Sequence, residues 1–361
     1  MSLAFLPPKV PVDKIETRNV LKLLTEARAA LAELKGAAST IPNEQILIDT
    51  LSLQEAKDSS AIENIVTTHD ELYRSEIDKE EFASASAKEV HRYAEALKYG
   101  FDLIRKNKIL TTNGILKIQE IIEGNSAGIR KVPGTVLKND LTGEIVYTPP
   151  QDFQTIQELL GNLEKFINND LEYDVDPLVR MAIIHHQFES IHPFFDGNGR
   201  TGRIINILYL INEGLLNLPI LYLSRYIIRN RPKYYELLQS TRTTNEWEPW
   251  VLFMLKAVEE TSKETVILIK AIKALMLSTK KRIREEQSGL YSQDLINNLF
   301  RHPYTKIDRL QKDLHISRIT STRYLNILTD MGILNKQKLG RSNYYINIEL
   351  FKLLSQGGTN V

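Results

Sequence analysis

The sequence contains no cysteine, which excludes disulfides, thiolate-held zinc and a cysteine nucleophile. This fits a reducing compartment, and the expected location is the cytoplasm. Net charge is nearly absent, with 46 basic side chains against 45 acidic ones. No whole-protein field therefore draws nucleic acid or an acidic membrane, and any such partner must be met by a local patch. Long apolar runs are also missing. The opening MSLAFLPPKVPVDKI has no apolar stretch of signal-peptide length behind a basic start, and nothing approaches the uninterrupted length of a membrane span, so no membrane partner is expected. Glycine and proline, at 17 and 13 residues, are too sparse for a low-complexity or fibrous chain. What remains is the composition of a globular protein, and 361 residues suit two or three domains.

Helical periodicity dominates what is there. Val20, Leu21, Leu24, Ala27, Leu31 and Leu34 recur on one face of 16–35, and Gly36 stops the run. A second helix is predicted from 42–43 through Leu47, Leu51 and Leu53 to about 63, and Thr68-His69-Asp70-Glu71 reads as a capping box. Further helices are expected at 83–106, 111–122 and 152–170, and later at 231–242, 247–262 and 264–287. The exception is 128–150, where β-branched residues flank Asn139-Asp140-Leu141-Thr142-Gly143. This predicts a hairpin with arms 135–138 and 144–147, either a flap or a surface connection.

Asp176-Pro177 supplies a cap followed by proline at the first helical position. The helix 178–190 is apolar along Val179, Ala182, Ile183 and Phe188, and delivers the chain to His192. Another helix follows Asn198, carries Ile204, Ile205, Leu208 and Ile211, and ends at Gly214. Between them lies HPFFDGNGRTGR, residues 192–203. Gly197 and Gly199 permit positive φ and close approach of a ligand to the backbone, and the amides opening the next helix form an anion site. Arg200 and Arg203, three apart, share a face and present two guanidinium forks suited to a polyphosphate. Asp196 would repel that phosphate unless a cation, Mg²⁺, lay between them. His192 is placed to take a proton from an incoming hydroxyl.

This stretch resembles the signature of Fic-domain proteins, HPFx[D/E]GNGRxxR, at every specified position, and the resemblance extends over about 109–255. It implies an all-α Fic core with a small β-hairpin flap that transfers AMP from ATP-Mg²⁺ to a Ser, Thr or Tyr hydroxyl of a target protein and of itself. By the resemblance His192 is the general base, Phe194 anchors the loop, and Asp196 holds magnesium. Gly197, Asn198, Gly199, Arg200, Thr201, Gly202 and Arg203 form the nucleotide site, the two arginines on the β- and γ-phosphates. His192 could instead be a nucleophile forming a nucleotidyl intermediate; the resemblance favours the base. Tyr234 and Tyr235 are similar to paired tyrosines that line the adenine pocket in relatives, though helix-face packing explains them as well. Val146, Tyr147 and Thr148 resemble the flap segment that lies over the nucleotide and aligns the target by strand addition.

Upstream, SSAIEN at 59–64 is similar to the family's inhibitory motif, [S/T]xxxE[G/N]. The resemblance implies that Ser59, Glu63 and Asn64 form this motif and that Glu63 pairs with Arg203 in the place of the γ-phosphate, giving an auto-inhibited transferase. The same glutamate could activate a water for deAMPylation. His185, His186, Glu189 and His192 raise a zinc site, but no HExxH pattern exists and these residues are read as shaping the catalytic wall.

From about 290 the pattern changes. Short helices at 293–300, 306–314 and 318–331 are followed by strand-like arms around Leu339-Gly340-Arg341-Ser342-Asn343, which reads as a winged helix-turn-helix. Residues 301–345 carry nine basic and three acidic side chains, a local basic footprint, and Arg318, Thr320, Ser321, Thr322 and Arg323 open the candidate recognition helix. Residues 306–345 are the expected DNA contact. The domains expected are an N-terminal helical region with the inhibitory motif (1–105), the catalytic core (106–285) and the winged helix (286–361). A homodimer is compatible with the chain. The rival reading is a DNA-binding regulator whose core senses ATP; another admits a different nucleotidyl donor.

Overall fold

The computed structural model describes residues 3–77, 84–138, 142–168, 173–339 and 342–356. The hairpin tip at Asn139, Asp140 and Leu141, the wing tip at Gly340 and Arg341, and the expected helix ends at 83 and 169–170 lie outside them. Short polar side chains start the helices by taking first-turn amides. Thr17 opens α2 (Arg18–Ala38), after a single turn α1 (Val12–Ile15), and Asn43 opens α3 (Glu44–Ile62). The amide of Glu71 donates to Thr68 Oγ1 (3.1 Å) at the start of α4 (His69–Ile77). Ser84 caps α5 (Ala85–Asn107) and Thr111 caps α6 (Thr112–Glu123). A two-stranded antiparallel flap follows, β1 (Leu137–Lys138) with β2 (Ile145–Tyr147), Leu137 opposite Tyr147.

Then come α7 (Phe153–Asn168), α8 (Pro177–Ile191) capped by Asp176, α9 (Asn198–Asn212), α10 (Leu223–Arg229) and α11 (Arg231–Thr244). α3, α8 and α9 are buried on nearly every face, which marks them as the centre of the core.

The stretch expected as two helices at 247–262 and 264–287 is one, α12 (Glu248–Glu286). No glycine or proline interrupts it after Pro249, and Thr261 and Thr265 turn their hydroxyls back onto Ala257 O and Thr261 O. α2 lies along α12 through Val20, Leu24, Ala27, Leu31 and Leu34, but Leu21, placed on that stripe by the sequence reading, is 47% exposed. It stands about 100° further round the helix than Val20.

The C-terminal segment holds a 3₁₀ turn (Ser288–Leu290), α13 (Gln293–Arg301), β3 (Tyr304–Thr305), α14 (Ile307–Leu314), α15 (Arg318–Asp330), β4 (Asn335–Leu339), β5 (Ser342–Ile346) and α16 (Ile348–Gln356). Its antiparallel sheet runs in the order β3-β5-β4. This segment docks on the helices that precede the core. Arg301 Nε lies 2.5 Å from Asp49 on α3, Tyr304 OH donates to Asp70 Oδ1 (2.5 Å), and His302 faces Glu76 at 3.0 Å.

Asp49 also takes Lys98 Nζ at 2.6 Å. Burial works to raise its pKa, but Lys98 and Arg301 outweigh that and hold it below the usual value. Asp49→Asn is expected to cost about 1–2 kcal/mol at pH 7, since the partners are partly exposed and screened. A carboxylate with a depressed folded pKa contributes above its unfolded pKa of about 4 and loses that contribution as pH falls further. The wild-type advantage in urea midpoint should therefore be full at pH 7 and shrink below about pH 4.

Candidate active site

α8 ends at Ile191, and His192 closes it in the left-handed conformation (φ 47°, ψ 60°), its amide donating to Phe188 O at 3.0 Å. Phe194 is fully buried. The Asn198 side chain donates to Phe194 O and accepts from Phe194 N–H, both at 2.9 Å, so its amide ties the loop shut and only its backbone N–H faces the helix opening. Gly197 turns at φ 77°, and α9 begins. Its opening amides and dipole make a positive pole at the loop.

Carboxylates fill that pole. Arg200 is 2% exposed, with Nε 2.7 Å from Glu63, Nη1 3.1 Å from Glu89 and Nη2 2.8 Å from Glu123. Arg203 is as buried, donating from Nε to Ser59 Oγ (2.7 Å) and from Nη2 to Ser59 O (3.0 Å) and Glu63 Oε1 (2.8 Å). Glu63 thus bridges both guanidiniums, where the sequence reading paired it with Arg203 alone. Burial works against the charge on Arg203, but Glu63 outweighs it and raises its pKa. Glu123 is pushed up by burial and by Asp196, Glu63 and Glu89, against Arg200. A Cβ on Gly199 would come within 2.6 Å of Glu63 Oε1 and 2.8 Å of Arg203 Nη1, so glycine there gives the carboxylate its seat. Asn64, at φ 63°, accepts from Arg231 (3.0 Å) just past the motif.

Asp196 is 77% exposed at the mouth of the loop, one oxygen taking the Gly197 amide at 2.7 Å. Among the described residues no group of three or more His, Cys, Asp or Glu side chains gathers to hold a metal. One exposed carboxylate suits magnesium, which takes its other ligands from phosphate and water.

Behind His192, groups from distant parts of the chain take the carbonyls that end α8. Arg242 on α11 donates to Ser190 Oγ (2.9 Å) and Glu189 O (3.2 Å), and its guanidinium lies 4.1 Å from the Tyr147 ring centroid. Tyr147 OH donates to Ser190 O at 2.8 Å. Arg130 donates from Nε to His192 O (2.8 Å), from Nη2 to Ile191 O (3.4 Å) and to Pro150 O, and from its backbone N–H to Pro193 O (3.0 Å). Burial, then Arg130 and Arg242, lower the His192 pKa to about 4, so its imidazole is neutral at pH 7. Arg130, Arg242, Glu89 and Glu123 escaped the sequence reading, for no local pattern marks them.

Tyr234 is buried, its OH 2.8 Å from His185 Nε2, whereas Tyr235 is 46% exposed beside Arg231. Val146 and Thr148 stand at the flap surface on either side of Tyr147. Thr201 and Gly202 face inward, and a Cβ on Gly202 would come within 2.6 Å of Glu189 Oε1. Burial raises the Glu189 pKa to about 7. His186 packs edge-on against Trp247 and Trp250.

A helical core whose central loop joins a histidine to a guanidinium-lined helix N-terminus, closed by a glutamate, defines a class of nucleotide-handling site. Three family models match the chain: the Fic/DOC family N-terminal model over 21–102, the Fic/DOC family over 107–210, and the C-terminal domain of SoFic-like protein adenylyltransferases over 275–350. The chain belongs to the Fic/DOC family. It is 27% identical over 167 residues to protein adenylyltransferase Fic of Aedes aegypti, covering 46% of this chain and 31% of that protein. It is 36% identical over 93 residues to a probable protein adenylyltransferase of Aquifex aeolicus, 26% of each chain. The matches thus span about a third or less of these relatives. A Fic family protein from Desulfovibrio desulfuricans superimposes with TM-score 0.60 at 20% identity, over 95% of this chain and 98% of that one. A Fic-domain signalling protein from Bacteroides thetaiotaomicron gives 0.54 at 17%, over 70% and 97%.

Proposed function

We propose that the chain is an auto-inhibited protein adenylyltransferase. The observation that carries this reading is the meeting of His192, Asp196 and the two buried guanidiniums at one helix N-terminus, with Glu63 seated across both arginines. The opening amides of α9, Arg200 and Arg203 bind the polyphosphate of ATP. A magnesium ion held by Asp196 supplies charge neutralisation when bound. His192 accepts the proton of a target hydroxyl. That oxygen forms a bond to the α-phosphorus, the bond to the β-phosphate bridging oxygen breaks, and pyrophosphate leaves with its charge stabilised by the arginines. Glu63 keeps the arginines from the phosphates until it is displaced.

Tyr235 borders the adenine, and the flap Val146-Tyr147-Thr148 aligns the target chain. The division at about 105 and 285 stands as part of this reading. Residues 286–361 are taken as a winged helix, supported by the order α13-β3-α14-α15-β4-β5. Arg318, Ile319, Arg323 and Asn326 are exposed on α15, Ile319 at 84%, which suits a duplex DNA groove. Magnesium with ATP labelled at either the α- or the γ-phosphate tests the transfer. The Glu63→Gly chain is expected to acquire α-label and no γ-label. Covalent γ-label, or no label of either kind, would contradict the reading.

A further inference from the structure

The base of this site is held from behind by the flap. The last carbonyls of a helix have no partner within it, and at the end of α8 they are taken by remote groups. Glu189 O goes to Arg242, Ser190 O to Tyr147, and Ile191 O and His192 O to Arg130. His192 sits in a left-handed conformation that costs a non-glycine residue energy and persists only where its surroundings impose it. Arg242 touches the end of α8 and the flap at once, through Ser190 and Glu189 on one side and the face of Tyr147 on the other.

We propose that Arg242 is a positioning residue that joins the target-binding flap to His192, so that the register of the flap and the orientation of the imidazole are set together. The inference rests on the transferase reading but concerns residues that the reading does not use. Removing the guanidinium frees the Tyr147 ring and the last turn of α8 together. The charged or titratable groups about His192 are Arg130 from the loop after α6, Arg242 from α11, Tyr147 from the flap and Glu189 one turn back on α8. Losing one cation also removes a repulsion that disfavours the imidazolium.

Arg242→Gln, Arg242→Lys and Tyr147→Phe made in the Glu63→Gly chain test this. Arg242→Gln is expected to lower the self-labelling rate at saturating ATP about tenfold, with the half-saturating ATP concentration changed less than twofold, the pattern of a transition-state effect. The His192 ring-proton resonance should titrate about one pH unit higher, and flap amides 145–148 should exchange faster. Arg242→Lys keeps the charge but not the fork, so it should restore the titration and only part of the rate. Tyr147→Phe should speed flap exchange with the titration unchanged. Unaltered titration and flap exchange in Arg242→Gln would overturn the proposal, as would Arg242→Lys proving equal to Arg242→Gln in every readout. If the Glu63→Gly chain labels nothing, the transferase reading falls, while titration and exchange still decide the positioning role.

Discussion

Glu63→Gly is expected to raise self-adenylylation by about 10²-fold. Glu63 takes Nε of Arg200 and Nη2 of Arg203 with its two oxygens, and a charge-assisted hydrogen bond contributes about 1.5–3 kcal/mol. Part of this is offset, because the freed arginines lose a partner as well as gaining a phosphate. A net 2–3 kcal/mol is about 30- to 150-fold in an equilibrium constant. The substitution should leave the scaffold intact. Glu63 lies just beyond the last residue of α3, and Asn64 already turns the chain at φ 63°, so no helical interior receives a glycine. Release of Arg200 should still be incomplete, because Glu89 and Glu123 keep its two Nη groups. Half-saturating ATP and initial labelling rate, measured together, check this: the first should fall and the second rise. Equal values in both chains would remove Glu63 as the lock.

His192→Ala in the Glu63→Gly chain is expected to lower transfer by about 10²–10⁴, the usual worth of a general base, with nucleotide affinity nearly unchanged. The imidazole touches none of the groups assigned to the phosphates, so its removal leaves binding in place. Its pKa, depressed to about 4 by burial and then by Arg130 and Arg242, keeps it in the proton-accepting form through the neutral range. Transfer should therefore hold level from pH 8 to 6 and decline only as pH falls towards 4, where protonation removes the base. The same shift acts on stability. An unfolded imidazole takes a proton near pH 6.5 and the folded one near 4, so the unfolded chain binds more protons between those values and stability falls as pH drops through that window. A plateau of activity with a loss of thermal stability below about pH 6 would separate the two effects.

The loop was legible because its chemistry is contiguous: histidine, carboxylate, glycines and arginines all fall within 192–203, and their spacing alone suggests a phosphate site. Helix starts were legible for the same local reason, since Thr17, Asn43, Ser84 and Asp176 each bond an amide within three residues. Glu63 was brought to the arginines by resemblance alone, because nothing between 64 and 199 reveals that α3 ends over α9. Glu89, Glu123, Arg130 and Arg242 stayed hidden because each lies in a helix or loop with another evident local reason to be polar. α10 and α16 were not predicted, being too short for periodicity to register. α16 did carry a readable cap in Asn347, which takes the Leu350 amide at 3.2 Å. The division of 247–287 into two helices placed too much weight on a polar patch whose threonines bond within the helix.

The central claim concerns where a nucleoside triphosphate lies. A crystal structure of the Glu63→Gly chain with magnesium and a non-hydrolysable ATP analogue tests it directly. The account predicts phosphate density over the amides that open α9, the terminal phosphates within hydrogen-bond reach of Arg200 and Arg203, and the α-phosphorus turned toward the His192 ring. Ordered nucleotide at another place, with the seat vacated by Glu63 holding only solvent, would contradict it.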